Sequence, residues 1–105
     1  MKILSIGRPT DALKTLTPAT LLKLAEASIA VMQQQHKEGK LLEYFYSPTG
    51  GGRIIIILDY KEGEEWVKDL IGVPIQSYYE YDIYPMADGF ETAKAMFAAM
   101  KAAEV

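Results

Sequence analysis

The run IIIIL at residues 54 to 58 constrains the fold more than any other stretch of this chain. An unbroken series of branched aliphatic residues, with no polar alternate, is typical of a strand whose two faces are both covered. A layer of helices covers only one face of a sheet. The sequence therefore predicts a sheet whose second face meets something other than the chain's own helices.

Further strand and turn signals surround this run. The segment KLLEYFYS precedes it, and the glycines at 50 to 52 between the two predict a β-hairpin, because glycine adopts the positive φ values of a reversal. An earlier strand is predicted over residues 2 to 7, ended by Pro9. A fourth strand is predicted from about Ile75 to Tyr84, closed by Pro85.

The long first helix is predicted from its entry and its exit. Thr17 can cap the first free N–H groups, Pro18 has no N–H to leave unpaired, and Gly39 supplies a left-handed residue after about Glu38. Apolar residues at three- and four-residue steps predict the face that is buried. These residues are Leu21, Leu22, Ala25, Ile29 and Met32.

Two more helices follow the same spacing rule. A short one carries Trp66, Val67, Leu70 and Ile71 on one face. A tail helix, from about residue 89 to 103, is predicted to pack on the body or on a partner. Its packing residues are expected to be Phe90, Met96 and Phe97.

The predicted order of elements is β-α-β-β-α-β-α, within a single domain that spans residues 1–105. This order predicts an α+β fold, the ferredoxin-like βαββαβ sandwich with an extra C-terminal helix. Both sandwich helices lie on one face of such a sheet, so half of the IIIIL run would stay exposed in a monomer. We therefore expect a homodimer in which the sheets of two copies face one another.

Composition excludes several classes of function. The formal charge is −3 with no block of like charges, which argues against a nucleic-acid partner. There is no cysteine and only one histidine, so we expect neither a metal site nor a cofactor held by such ligands. No apolar run reaches the length of a membrane span, and a cytoplasmic location is expected.

Several segments together resemble the dimeric α/β-barrel superfamily, and within it the muconolactone isomerase-like group. They are the long helix leading into EGKLLEYF, the glycine-rich hairpin, the stretch IIILDYKEGEEWVKDLIGVP, and YYEYDIYPMA, whose ending DIYPMA is similar to that group's ending. The similarity covers roughly residues 17 to 87 and leaves the tail helix outside. It implies a dimeric α/β-barrel; the superfamily includes isomerases, cofactor-free monooxygenases and haem enzymes.

Two residues are candidate proton carriers. His36 follows Met32 on the first helix and is either a half-buried residue covering the sheet edge or a proton shuttle. Glu43 is the only charged residue inside the second strand. If it faces the cleft under the helices, burial strengthens it as a general base; otherwise it is an edge or barrel-facing carboxylate paired with a lysine or with Arg53.

Tyrosines are the candidate binding residues. Tyr44 and Tyr46 follow Glu43 on one strand. On the fourth strand the alternation of side chains separates Tyr79 and Tyr81, expected under the helices, from an acidic set expected on the other face. The acidic set is Tyr78, Glu80, Asp82 and Tyr84, with Arg8 or Arg53 as its expected counter-charge.

Two functions remain open from the sequence. The first is a cofactor-free isomerase that moves a proton on a small cyclic or unsaturated acid or lactone. Glu43 or His36 would be its base, and tyrosine hydroxyls would hold the oxyanion. The second is a non-catalytic small-molecule-binding or assembly module, whose tyrosines serve an interface.

Overall fold

The computed structural model describes residues 1–49, 51–61 and 65–104. Residue 50 of the predicted glycine turn and residues 62–64 before the second helix lie outside the described residues. Four strands, three α-helices and two 3₁₀ segments make up the described part. In chain order they are β1 (Lys2–Pro9), a 3₁₀ segment (Asp11–Thr15), α1 (Pro18–Lys37), β2 (Leu41–Ser47), β3 (Arg53–Asp59), α2 (Trp66–Ile71), a second 3₁₀ segment (Pro74–Tyr78), β4 (Tyr79–Met86) and α3 (Gly89–Ala103).

The four strands form one antiparallel sheet in the order β2-β3-β1-β4. This α+β arrangement is compatible with the predicted ferredoxin-like fold. The two central strands, β1 and β3, also supply half of the buried apolar side chains among the described residues. Among them are Ile3, Ile54, Ile56 and Leu58.

The registers divide the sheet into two faces. The helix-bearing face carries Ile3, Ser5 and Gly7 of β1 and the residues paired with them on β3 and β4. The other face, which we call the open face, carries the alternate residues. Its apolar members are Leu4, Ile6, Ile55, Ile57, Phe45 and Tyr84, and all are partly or largely exposed. The sequence expectation that one face of IIIIL lacks cover from the chain's own helices is therefore met.

Helix α1 begins and ends as expected, but its buried face differs from the prediction. The Thr17 hydroxyl accepts a hydrogen bond from the Thr20 N–H at 3.2 Å, and Gly39 has a φ of 76°. Leu22 of the predicted face is 59% exposed, whereas Ser28 is buried. Ser28 is buried because its hydroxyl donates to the Leu24 carbonyl and accepts from the Ile75 N–H. Because of these two bonds, the buried face of the helix includes a polar residue that the spacing of apolar residues does not predict.

The first and last strands also differ from their predicted limits. β1 extends to Pro9 and β4 to Met86, because proline is tolerated at the end of a strand and on an edge strand, where β4 lies. The predicted start of β4 at Ile75 is wrong. Pro74 begins a 3₁₀ segment through Tyr78, and regular pairing with β1 starts only at Tyr79.

The tail helix has the predicted bounds, and Asp88 caps it by accepting the Glu91 N–H at 2.8 Å. Its predicted packing on the chain's own body is wrong, because no α3 residue in the described part of the chain is buried. Phe90 is 90% exposed. The other alternative, packing on a partner, stays a prediction.

Candidate functional site

An apolar cleft of about 270 Å³ lies between α1 and the edge strand β2. Helix α1 supplies one wall and the first residues of β2 supply the other. Two of the four polar side chains among its lining residues belong to the candidate proton carriers. The lining residues are Ile29, Met32, Gln33, His36, Leu41, Leu42, Glu43 and Tyr44.

His36 is held by the backbone of the strand that it covers. Its Nδ1 lies 2.8 Å from the Leu41 carbonyl oxygen. A carbonyl oxygen can only accept a hydrogen bond, so Nδ1 carries the proton when the ring is neutral. Nε2 is then the ring nitrogen with a free lone pair. The expected half-burial of His36 is wrong, because the residue is exposed, although its bond to Leu41 still holds it against the sheet edge.

A β-bulge decides the position of Glu43. Leu41 pairs with Leu58, whereas Glu43 pairs with Ile57, so Leu42 is an extra residue on β2. The bulge places Glu43 in register with the open face, while the next residue, Tyr44, pairs with Ile56 on the helix-bearing face. Glu43 is exposed. The burial that would strengthen it as a base is absent in the single chain, although the residue still lines the cleft mouth.

The four candidate tyrosines all belong to the helix-bearing face. Tyr44 and Tyr46 pair with Ile56 and Ile54, and Tyr81 pairs with Gly7. The rings of Tyr79 and Tyr81 lie 6.2 Å apart between centroids. Desolvation, and then the other phenol groups, raise the pKa of Tyr44, Tyr79 and Tyr81 above the ordinary value of 10.0. The phenols therefore remain protonated donors well above neutral pH.

Gly7 makes room for this group of tyrosines. A β-carbon at residue 7 would lie only 2.6 Å from Cε1 of Tyr81, so the ring of Tyr81 rests directly on the Gly7 backbone. An edge-strand tyrosine thus extends inward across the central strand. The Tyr81 hydroxyl is buried and has no hydrogen-bond partner among the described residues.

Ser5 shares this property and was missed by the sequence reasoning. It is fully buried on the helix-bearing face of β1, and its hydroxyl also lacks a partner within the described residues. A single polar residue inside the apolar strand KILSIG was the signal that could have identified it. Buried hydroxyls without partners are uncommon in folded proteins, because leaving such a group unpaired costs stability.

Glu80, Asp82 and Tyr84 lie on the open face, as strand alternation predicted. The inclusion of Tyr78 in this set is wrong, because Tyr78 ends the 3₁₀ segment before β4 begins. Asp82 pairs with Ile6 and Glu80 with Arg8 in the register of the sheet. The expected counter-charge is present, because Arg8 Nη2 lies 3.3 Å from Asp82 Oδ2. Both side chains are about half exposed in the single chain, so the pair adds little stability there.

The structure therefore brings the predicted site residues into two neighbouring groups. His36, Glu43 and Tyr44 line the cleft at the β2 edge. Tyr46, Tyr79 and Tyr81 lie toward the other end of the helix-bearing face, and Tyr44 is electrostatically coupled to members of that second group. We refer to the first group as the α1–β2 cleft and to the second as the tyrosine cluster.

The described residues contain neither a metal-binding cluster nor a membrane-crossing helix. No group of three histidine, cysteine or carboxylate side chains there is placed to hold a metal ion. No helix in the described ranges has the length and apolar character needed to cross a bilayer. Compared with models of known families and with curated proteins, the chain matches none.

Proposed function

We propose that this protein is a homodimer of the muconolactone isomerase-like kind that transfers a proton on a small cyclic or unsaturated acid or lactone. The proposal places the reaction in the α1–β2 cleft and assigns the chemistry to side chains alone. The observation that carries it is the bond between His36 Nδ1 and the Leu41 carbonyl, which leaves Nε2 free beside an apolar cleft. A cytoplasmic location remains part of the proposal.

The cleft has the parts that such a reaction needs. Ile29, Met32 and Leu42 offer apolar surface to a small carbon skeleton. In the proposed step, Nε2 of His36 takes a proton from the carbon beside the substrate carbonyl, and the electron pair moves onto the carbonyl oxygen. The Tyr44 hydroxyl, kept protonated by its raised pKa, donates a hydrogen bond to that oxygen.

The same histidine completes the isomerisation. Returning the proton to the far carbon of the conjugated system shifts the double bond and regenerates neutral His36, so no external oxidant or reductant is consumed. Glu43 lines the mouth of the cleft, where a carboxylate favours the transient imidazolium. Both side chains are exposed, so the bond that fixes the His36 tautomer is what assigns the base to His36 and a supporting electrostatic role to Glu43.

The dimer is supported by the open face. Leu4, Ile6, Ile55 and Ile57 form its centre, and Phe45 is 52% exposed beside them. A contiguous apolar face of this kind on a small domain is typical of an interface. The Arg8–Asp82 pair lets an acidic residue enter such an interface with its charge compensated. A second sheet against this face would produce the dimeric α/β-barrel.

The alternative is a non-catalytic small-molecule-binding or assembly module, and the exposed apolar helix α3 favours it. An assembly module needs apolar surface but no free base. The two functions therefore differ in what His36 does, since only the isomerase requires its Nε2.

Deuterium incorporation separates them. The protein is incubated in D₂O with a panel of small unsaturated lactones and acids, butenolide among them, and exchange at the carbon beside the carbonyl is followed by NMR. We expect exchange with at least one member, reduced by about 10² to 10⁴ in His36→Gln. Gln34→Ala is the matched control, because Gln34 lies on the same helix but does not line the cleft. Equal exchange by wild type and His36→Gln, or none above buffer, would contradict the proposal.

A further inference from the structure

Helix α3 stands away from the rest of the chain. The radius of gyration is 17.6 Å and the longest dimension is 65 Å, whereas a compact domain of this length has a radius of about 13 Å. An isolated helix of this length is marginal in water, so an apolar helix without cover needs a packing partner. The partner is not the chain's own body, because none of the described α3 residues is buried.

Four apolar side chains of α3 form one stripe along the helix, and Met96, which is 57% exposed, lies beside it. Phe90, Ala93, Phe97 and Met100 follow each other at steps of three, four and three residues, the a and d spacing of a helix pair. The next position of this seven-residue repeat is Glu104, a charged residue, so the stripe ends after two repeats. This alternation of three- and four-residue steps is the spacing by which two helices pack on each other.

We propose that the α3 stripe pairs with the same stripe of a second copy, forming a parallel two-helix seam that extends the interface between open sheet faces. This inference rests on the homodimer proposed above. Only two residues, Ala87 and Asp88, join β4 to α3, so each helix leaves the sheet from a fixed end. In the proposed dimer the two helices leave the stacked sheets at the same end, and they therefore run parallel.

The area of the seam requires the sheet contact as well. The rings of Phe90 and Phe97 expose roughly 300 Å² on each helix, so their pairing removes at most roughly 600 Å² from water. A stable protein interface buries about 1,200–2,000 Å² in total. The seam is therefore too small to form a dimer alone, and it acts as an addition to the open-face interface.

Charges at the flanks permit this pairing. The repeat places Met96 of one copy beside Lys101 of the partner subunit, so no like charges face each other across the seam. The methylene stem of a lysine can lie along an apolar contact while its ammonium group stays in water. Lys94 and Lys101, seven residues apart, both flank the stripe in this way.

Engineered cysteines test the seam directly, because the chain contains no cysteine of its own. Ala93→Cys places a thiol on the stripe, and Ala95→Cys places one on the opposite side of the same helix turn. Under mild oxidation we expect Ala93→Cys to form a disulfide-linked dimer at least tenfold more than Ala95→Cys. Met100→Cys is a second stripe variant in case Ala93→Cys folds poorly.

Two results would overturn the seam. One is equal cross-linking by the stripe and control cysteines, and the other is no cross-linking by either stripe variant. Light scattering on the wild-type chain separates this failure from that of the dimer itself. A wild-type monomer would remove the open-face dimer and the seam together. A wild-type dimer without stripe cross-links, and with an unchanged dissociation constant after truncation at Asp88, would remove the seam alone; we expect that truncation to raise the constant at least tenfold.

Discussion

Replacing Tyr81 with phenylalanine should stabilise the protein. The hydroxyl of Tyr81 is buried and has no hydrogen-bond partner among the described residues, while its ring is fixed on the backbone of Gly7. A buried polar group that lacks its hydrogen bond costs about 1–3 kcal/mol of stability. Tyr81→Phe removes that group and keeps the ring, so we expect the free energy of unfolding to rise by about 1–3 kcal/mol.

The measurement is urea unfolding followed by circular dichroism, at one fixed protein concentration because a dimer's stability depends on it. Tyr84→Phe is the matched control. Its ring is 51% exposed, so removing its hydroxyl should change the free energy of unfolding by less than about 0.5 kcal/mol. A loss of stability in Tyr81→Phe would refute the reasoning, because it would show that the hydroxyl is satisfied in solution, for instance by a bound water.

Three further predictions follow from single contacts. Stability should fall as the pH rises above about 10, because burial raises the pKa of Tyr81 in the folded state above its pKa in the unfolded state, so Tyr81 loses its proton more easily in the unfolded chain. A flat alkaline profile of stability, or a profile that Tyr81→Phe leaves unchanged, would contradict this. Gly7→Ala should cost about 1–3 kcal/mol in urea unfolding, since the new β-carbon meets the Tyr81 ring at 2.6 Å, and a neutral result would show that the ring moves freely. Ser28→Ala should cost about 1–3 kcal/mol by leaving the Ile75 N–H unpaired, with exposed Ser77→Ala as the control that should stay near wild type.

Much of the fold follows from local signals in the sequence. The entry of α1 at Thr17 and its end at Gly39 depend on capping, which nearby residues decide. The division of β4 into a tyrosine face and an acidic face depends only on strand alternation. These features were predicted because no distant contact is needed to produce them.

The features that the sequence did not predict depend on contacts between distant segments. The buried face of α1 turns toward Ser28 because the Ile75 N–H, far along the chain, requires an acceptor. The extra residue Leu42 shifts the register against β3 and thereby decides the face of Glu43. A bulge without glycine has no local signal.

The site shows the same division. The residue types of the candidates indicated proton transfer and hydrogen-bond donation by phenol groups. The sequence could not show that His36 and Tyr44 line one cleft while Tyr81 lies in the tyrosine cluster. That separation follows from Gly7, whose missing side chain lets the ring of Tyr81 lie across β1. Ser5 became a candidate site residue only because the structure shows that it is fully buried.

The most direct test of the account is the protonation state of the His36 ring, since the proposed reaction requires a proton on Nδ1 and a free Nε2. The chain has one histidine, so nitrogen NMR on histidine-labelled protein gives one pair of ring signals. With the ring neutral, we predict a protonated Nδ1, an unprotonated Nε2, and a change in the Nε2 signal when butenolide is added. A proton on Nε2, with Nδ1 unprotonated, would contradict the bond to Leu41 and with it the assignment of His36 as the base.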